Sequence, residues 1–225
     1  MCGRFALGIP RKTLADHYGL ALVPDAPMRY NIAPSQLVEA VVCSRETGAR
    51  GMRLFRWGLL PFWARDVKMA AKLINARCET AAEKPAFKAA LKYRRCLIPA
   101  TGFYEWSGVE DGKRPYFFHL PGDGLFSLAG LWERHESPFG EERMTCAILT
   151  RQATGAAAAI HERMPVIISP GEYGAWLDPL MQDPEGTESF FRQEGPELCL
   201  REVGKGVNNP GVDEPSLIEP VASAG

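Results

Sequence analysis

The 225-residue sequence predicts an α+β fold, a single domain of many short, mostly antiparallel strands with a few peripheral helices. Three observations predict it. Short runs rich in β-branched and aromatic residues recur from Phe5 to Val203, most of them closed by Gly, Pro or Asn. Helix-period segments are fewer and lie between those runs. No internal repeat, low-complexity tract or linker divides the chain, so residues 1–225 are expected to form one unit, with a core over about 2–220 and a polar C-terminal tail.

Taken in order, Cys2 to Leu7 reads as an opening strand. Pro10 stands at a first helical position, and Leu14, His17 and Tyr18 follow at helical spacing up to Gly19. Tyr30 to Gln36 reads as a loop before a Val-rich strand, Leu37 to Cys43. A second strand, Met52 to Trp57, runs into Gly58-Leu59-Leu60-Pro61-Phe62-Trp63, with Trp57 expected in the core. Leu73 to Thr80 passes from an apolar pair to a polar cluster, and a helical run follows from Ala81 to Tyr93. Arg95 to Ala100 and Gly102 to Trp106 read as strands; in the second, alternation sends Phe103 and Glu105 to one face, Tyr104 and Trp106 to the other. Asp111-Gly112 is a hairpin signal, with Tyr116 to Leu120 as the returning strand. Further strands are expected at Phe126 to Arg134, Met144 to Thr150, Val166 to Ser169 and Leu198 to Val203. Helical segments are expected at Ala153 to Ile160, Pro170 to Leu177 with Trp176 inward, and Glu185 to Gln193.

Composition narrows the function. Hydrophobic residues make up 46% and charged residues 24%, enough apolar side chain for a sizeable core. No apolar run approaches the roughly 20 residues of a membrane span, and no secretory signal opens the chain, so a cytoplasmic protein is expected. The six cysteines include no Cys-x-x-Cys pair, which argues against a zinc finger or thioredoxin-like motif and fits reduced thiols. His161-Glu162 is not a zinc-peptidase helix, because the second His would have to stand where Pro165 is. No metal and no cofactor is expected. A net charge of -1 gives no global signal for nucleic acid, so only a local basic surface could bind it. A monomer is the default.

Several residues admit both a structural and a chemical reading. Removal of Met1 would leave Cys2 with a free α-amine and a thiol, a 1,2-aminothiol whose groups, at reference pKa values of about 8 and about 8.5, hold useful nucleophilic fractions near neutral pH; equally, Cys2 packs as a small apolar residue. Asn31 is a turn residue or a functional one. Trp63, beside Arg65, Asp66 and Lys68, is a core aromatic or a platform for unpaired bases. Glu105 is an edge-strand carboxylate in water or a desolvated acid–base group. His161 caps a helix end or takes part in catalysis.

Together, Cys2-Gly3-Arg4-Phe5, Tyr30-Asn31-x-Ala33-Pro34, Trp57-Gly58-Leu59-x-Pro61-x-Trp63, Asn75-Ala76-Arg77-x-Glu79-Thr80, Gly102-Phe103-Tyr104-Glu105-Trp106 and His161-x-Arg163-Met164-Pro165 resemble the SRAP family, the SOS-response-associated peptidases, in the family's order along the chain. The resemblance implies an SRAP-like barrel core and an abasic-site sensor of the DNA-damage (SOS) response. In it Cys2 attacks the ring-opened aldehyde of an abasic site in single-stranded DNA and closes a thiazolidine, a covalent DNA–protein crosslink that protects the lesion. By the same resemblance Asn75 holds the deoxyribose and the reacting end of Cys2, Glu105 moves protons, and His161 assists Schiff-base chemistry and reversal. Arg4, Arg77 and Arg163 would sit beside phosphates, while Asn31, Trp63, Trp106 and Thr150 would line the DNA path. The family's self-processing implies peptidase-type hydrolase activity, with lyase-type activity alongside it; here only Met1 precedes Cys2, so little is left to cleave. Cys78, next to Arg77, would either pack or be oxidised with Cys2. The Val207-Asn208-Asn209 segment matches, whereas Pro210-Gly211 does not clearly continue the pattern.

Two readings of other classes compete. A class II glutamine amidotransferase also exposes a Cys after Met-Cys-Gly, but it needs an Asn-Gly pair for its oxyanion hole, and this sequence has none. A non-catalytic single-strand binder using Trp63 and the arginines would bind DNA without any covalent link.

Overall fold

A computed structural model describes residues 2–109, 112–137 and 139–221. Met1, on which the aminothiol depends, and Asp111 of the expected hairpin lie outside the described residues. The hairpin itself is present: β7 (Gly102–Val109) and β8 (Gly112–His119) pair antiparallel with Val109 opposite Gly112.

One sheet closes on itself. Strands β3 (Leu37–Cys43), β4 (Arg50–Trp57), β6 (Arg95–Ala100), β9 (Phe126–Glu136) and β10 (Glu142–Gln152) pair in a ring that forms a five-stranded mixed barrel. Every contact in the ring is antiparallel except that of β4 with β10. Closure leaves no free edge among the five strands. Three short strands extend it: β5 (Asn75–Arg77) runs parallel to β10, β11 (Arg163–Pro165) antiparallel to β10, and β12 (Ile167–Ile168) antiparallel to β9. The second sheet is antiparallel, in the order β13 (Cys199–Glu202), β8, β7, β1 (Phe5–Leu7), β2 (Arg29–Ile32).

The main core fills the barrel and one face of the second sheet, where Phe103 stacks on Phe118 at 5.0 Å between ring centres. A smaller core of Ala6, Tyr104, Phe117, Val203, Val207 and Leu217 covers the opposite face of that sheet. Strand β7 is therefore buried on both sides, so alternation along it separates two interiors rather than an interior from water. The edge-strand reading of Glu105 does not hold, for that residue is only 4% exposed.

Most expected elements are present, including the helix α1 (Arg11–Tyr18) ending on Gly19 in the left-handed conformation. Three differ. Arg29–Ile32, expected as loop, is strand β2, because Phe5 and Leu7 of β1 pair with Ile32 and Arg29. Within the expected polar cluster, Asn75–Arg77 is a strand held along β10. The helical run from Ala81 divides into α2 (Cys78–Ala81) and α3 (Lys88–Tyr93), since Pro85 has no N–H to continue the ladder. The remaining helices are α4 (Gly155–Ala158), α5 (Tyr173–Leu177) and α6 (Pro184–Arg192), and Trp176 is inward as expected.

The turn after β4 needs its glycine. Gly58 has φ of +132°, and a Cβ there would lie 2.6 Å from the carbonyl oxygen of Ala70. Gly58→Ala is expected to lower the urea midpoint by an amount equivalent to about 1–3 kcal/mol, because strain and clash coincide with a buried backbone bond to Cys146; an unchanged midpoint would remove this account of the turn.

Candidate functional site

Cys2 is fully buried, and three interactions fix it from below. Phe5 packs edge-on against Trp57 at 5.2 Å. The indole Nε1 of Trp57 donates to the carbonyl of Ile74 at 2.8 Å, which sets the backbone just before Asn75. Asn75 Nδ2 then donates to the carbonyl of Cys2 at 2.8 Å. The barrel core thus positions β5, and β5 positions Cys2. Asn75 Oδ1 is also buried but has no hydrogen-bond partner among the described residues, so an acceptor is left at the site.

Glu105 and His161 complete the group. The antiparallel register that pairs Phe5 with Phe103 and Ala6 with Gly102, continued one further pair past the Tyr104 N–H bond to Arg4, brings Glu105 opposite Gly3. Burial pushes the Cys2 thiol well above its ordinary value, and the negative charge of Glu105 pushes the same way. In this chain, with residue 1 still preceding Cys2, burial favours the protonated thiol. Burial also raises the carboxyl of Glu105, while His161 is close enough to pull it down. His161 stands between α4 and β11, and its Nδ1 accepts the main-chain N–H of Arg163 at 2.9 Å. A neutral His161 therefore carries its proton on Nε2. Cys2, Asn75, Glu105 and His161, distant in sequence, meet at one place.

The other expected site residues divide. Arg77 is exposed at the end of β5. Trp63 is 45% exposed and its neighbour Phe62 59%, in a stretch where Arg65, Lys68, Lys72 and Arg77 against Asp66 give residues 62–77 a net charge of +3. Along the sequence this is a local excess of positive charge within a chain whose total is -1. Trp106 is half-buried and donates through Nε1 to Asn208 Oδ1 at 2.8 Å. The sequence puts Asn31 and Thr150 along a DNA path; in the structure both are fully buried, with polar atoms engaged inside. Thr150 Oγ1 donates to Ala76 at 3.4 Å. Arg4 is half-buried and its Nη1 donates to Asn31 Oδ1 at 2.7 Å and to the carbonyl of Val207 at 2.6 Å. Arg163 is paired with Glu79 at 2.6 Å.

Asn31 is the centre of a strap missed in the sequence. Its Nδ2 reaches the carbonyls of Val207, Asn209 and Val212 at 3.4, 3.0 and 2.6 Å. Asp213 accepts from the amides of Tyr30 and Asn31 at 2.5 and 3.0 Å and pairs with Arg29. The segment around Val207 to Asp213 is thereby tied over β1 and β2, so the matching Val207-Asn208-Asn209 stretch does make contacts. Cys78 is buried, a free thiol pushed up to about 11 by burial, and packs.

Two clefts lie elsewhere: one of about 550 Å³ between Cys78, Leu91 and Phe191, one of about 570 Å³ between Thr154, Met164 and Leu198. Neither is lined by Cys2, Asn75, Glu105 or His161, so convergent polar groups, rather than volume, mark the site. Among the described residues no cluster of His, Cys, Asp and Glu could hold a metal ion, and no helix is long and apolar enough to cross a membrane.

A five-stranded mixed barrel and the second sheet together bring a buried thiol, an amide, a carboxyl and an imidazole near one another. The chain belongs to the SRAP family, described as SOS response associated peptidase, whose profile matches residues 1–210. It is 36% identical over 224 residues to the abasic site processing protein YoqW of Bacillus subtilis (strain 168), covering 97% of this chain and 99% of that one. It is 30% identical over 200 residues to the abasic site processing protein HMCES of Gallus gallus, of which it spans 59%. A crystal structure of a protein from Bacteroides thetaiotaomicron shares the fold, with a TM-score of 0.85 at 24% identity over 98% of this chain and 100% of that one.

Asn31→Ala would remove this donor from the carbonyls of Asn209 and Val212 and leave Arg4 and the Val207 carbonyl only each other. The expected outcome is a loss of about 2–4 kcal/mol in urea unfolding and faster amide exchange over residues 204–221 than elsewhere; uniform exchange would show that the strap is held by other means.

Proposed function

We propose that this protein processes abasic sites in single-stranded DNA by forming a covalent link through Cys2. The observation that carries this reading is the convergence of Asn75, Glu105 and His161 on a buried Cys2 in a chain whose full-length relatives are named for abasic site processing. Removal of Met1 supplies the α-amine. That amine adds to the aldehyde of the ring-opened sugar and water leaves, giving an imine. The Cys2 sulfur then adds to the imine carbon, its proton passes to the imine nitrogen, and a five-membered thiazolidine closes. Ring closure is intramolecular and so favoured. A lysine has no neighbouring thiol with which to close it.

The burial of Cys2 supports an order of events. A thiol held protonated leaves the amine as the first nucleophile, and the thiol acts once a base can take its proton. Glu105 is the group placed to relay that proton, with the Nε2–H of His161 as a donor to the departing oxygen or to the sugar. Asn75 Oδ1 is an acceptor for a sugar hydroxyl. A nucleotide without a base has nothing to stack and enters a narrow site with less unstacking cost than an intact one. Arg77 and Trp63, exposed on the positive stretch, supply the phosphate contact and the stacking platform; Arg4 and Arg163 act closer to the site.

The test is incubation with single-stranded DNA bearing one abasic site, read as a complex resistant to denaturation. Reactive protein is expected to lack Met1 by mass spectrometry, and Cys2→Ala to give no stable complex. Full reactivity with Met1 retained, or an undiminished adduct from Cys2→Ala, would refute the aminothiol.

The pH profile reports on Glu105. Its folded pKa is raised, so it takes up a proton at a higher pH than a free Glu, whose pKa is about 4.3. If the ionised form accepts the thiol proton, crosslinking slows as pH falls through the raised value. The acid limb is expected above the ordinary carboxylate range, and Glu105→Gln is expected to abolish it while slowing the rate at neutral pH by about 10²–10⁴-fold. Rates from pH 4 to 8 decide, and a limb that persists in Glu105→Gln belongs to another group.

A further inference from the structure

Phe62 and Trp63 face water although both are large and apolar, while Leu59, Leu60 and Ala64 on either side of them are buried. An aromatic pair left outside must be kept from collapsing onto the protein, and hydrogen bonds flank this one on both sides. Ahead of it, the N–H of Gly58 donates to the carbonyl of Cys146 at 2.8 Å and the N–H of Leu60 to Oγ1 of Thr145 at 2.9 Å. Behind it, Nε2 of His135 lies 2.9 Å from the carbonyl of Ala64. A carbonyl only accepts, so Nε2 carries the proton and donates.

Both anchors belong to the β9–β10 hairpin. Thr145 of β10 stands opposite Glu133, and His135 of β9 stands opposite Arg143, two residues or about 7 Å nearer the hairpin end. His135 is a polar side chain in an interior position, 4% exposed. Its Nδ1 is buried as well and has no hydrogen-bond partner among the described residues. Buried polar groups are ordinarily satisfied, so an imidazole whose one bond among those residues goes to the aromatic loop is accounted for by that loop. The acceptor is equally telling. Ala64 is buried and directly follows Trp63, so its carbonyl, deprived of a donor, would have to turn toward water and would draw Trp63 with it.

We infer that His135 is a positioning residue for DNA binding: through the carbonyl of Ala64 it holds Trp63 where an unpaired base can stack, without itself touching DNA or the reacting atoms. The inference rests on the reading of Trp63 as the stacking platform. It predicts a defect in attachment rather than in bond formation, because Cys2 is fixed by separate contacts through Asn75.

The experiment compares wild type, His135→Leu, His135→Gln, Trp63→Ala and the double variant of His135→Leu with Trp63→Ala. Affinity is read by fluorescence anisotropy with single-stranded DNA that carries a tetrahydrofuran abasic analogue, which has no aldehyde. The crosslinking rate at saturation is read with the same strand bearing a true abasic site. Trp63→Ala is expected to weaken binding about fivefold or more, the lower end of what one stacked base contributes. His135→Leu, which removes the donor, is expected to weaken it about threefold or more with a saturated rate within about twofold of wild type. His135→Gln, whose amide can donate to the same carbonyl, should restore affinity to within about twofold of wild type. In the Trp63→Ala background, His135→Leu should cost less than about twofold, since the ring it positions is gone. Wild-type affinity in His135→Leu, no rescue by Gln, losses that multiply in the double variant, or a loss confined to the saturated rate would each overturn the inference. Should His135→Leu fail to fold, His135→Met, a flexible filler without a donor, takes its place with the same expected losses. Wild-type binding by Trp63→Ala removes the stacking reading and the inference with it; weakened Trp63→Ala beside an unimpaired His135→Leu removes only the role of His135.

Discussion

The structure depends on one relay of contacts that runs from the barrel interior to Cys2. Phe5 meets Trp57, Trp57 fixes the carbonyl of Ile74, and Asn75 returns a hydrogen bond to the carbonyl of Cys2. Each step uses a group whose own position is set by the core, so Cys2 is located through its backbone carbonyl, with a long thiol hydrogen bond of 3.9 Å to the carbonyl of Arg4 beside it. Protein interiors are close-packed and yield little, and a nucleophile fixed in this way has little freedom to wander. Gly58 belongs to the same arrangement, since its unusual backbone lets the chain leave β4 and pass close to Ala70.

Burial gives the site its electrostatic character. Burial disfavours charge on the Cys2 thiol and on the Glu105 carboxyl alike, and the negative charge of Glu105 adds to the effect on Cys2. The polar groups beneath are paired, with Arg163 on Glu79 and Arg4 on Asn31, which leaves Arg77 and the Phe62–Trp63 corner to face outward.

Much of this was legible in the residues. The strand runs declared themselves through alternation and turn residues, and the two long strands β9 and β10 differ from expectation only at their ends. Barrel closure was not legible, because pairing of β4 with β10 is a long-range contact with no local signature. The burial of Glu105 was hidden for a related reason: alternation puts it on the face of Phe103 but does not show that the main core closes over that face. Asn31 and Thr150 show the limit of motif reading, for a motif marks a residue as needed without saying whether it faces a ligand or holds the fold. Glu79 shows the converse, a residue inside a quoted motif whose partner, Arg163, becomes evident only when β5 and β11 lie on either side of β10.

The strap has a consequence for the order in which the protein comes to exist. Arg4 is bonded to the carbonyl of Val207, a separation of 203 residues. Contacts of that span form late, because the whole intervening loop must first be closed. Cys2 is among the first residues to leave the ribosome, yet the strap that braces its neighbour Arg4 is among the last. Until then the segment that carries Cys2 lacks the contacts that hold Arg4 in the folded chain.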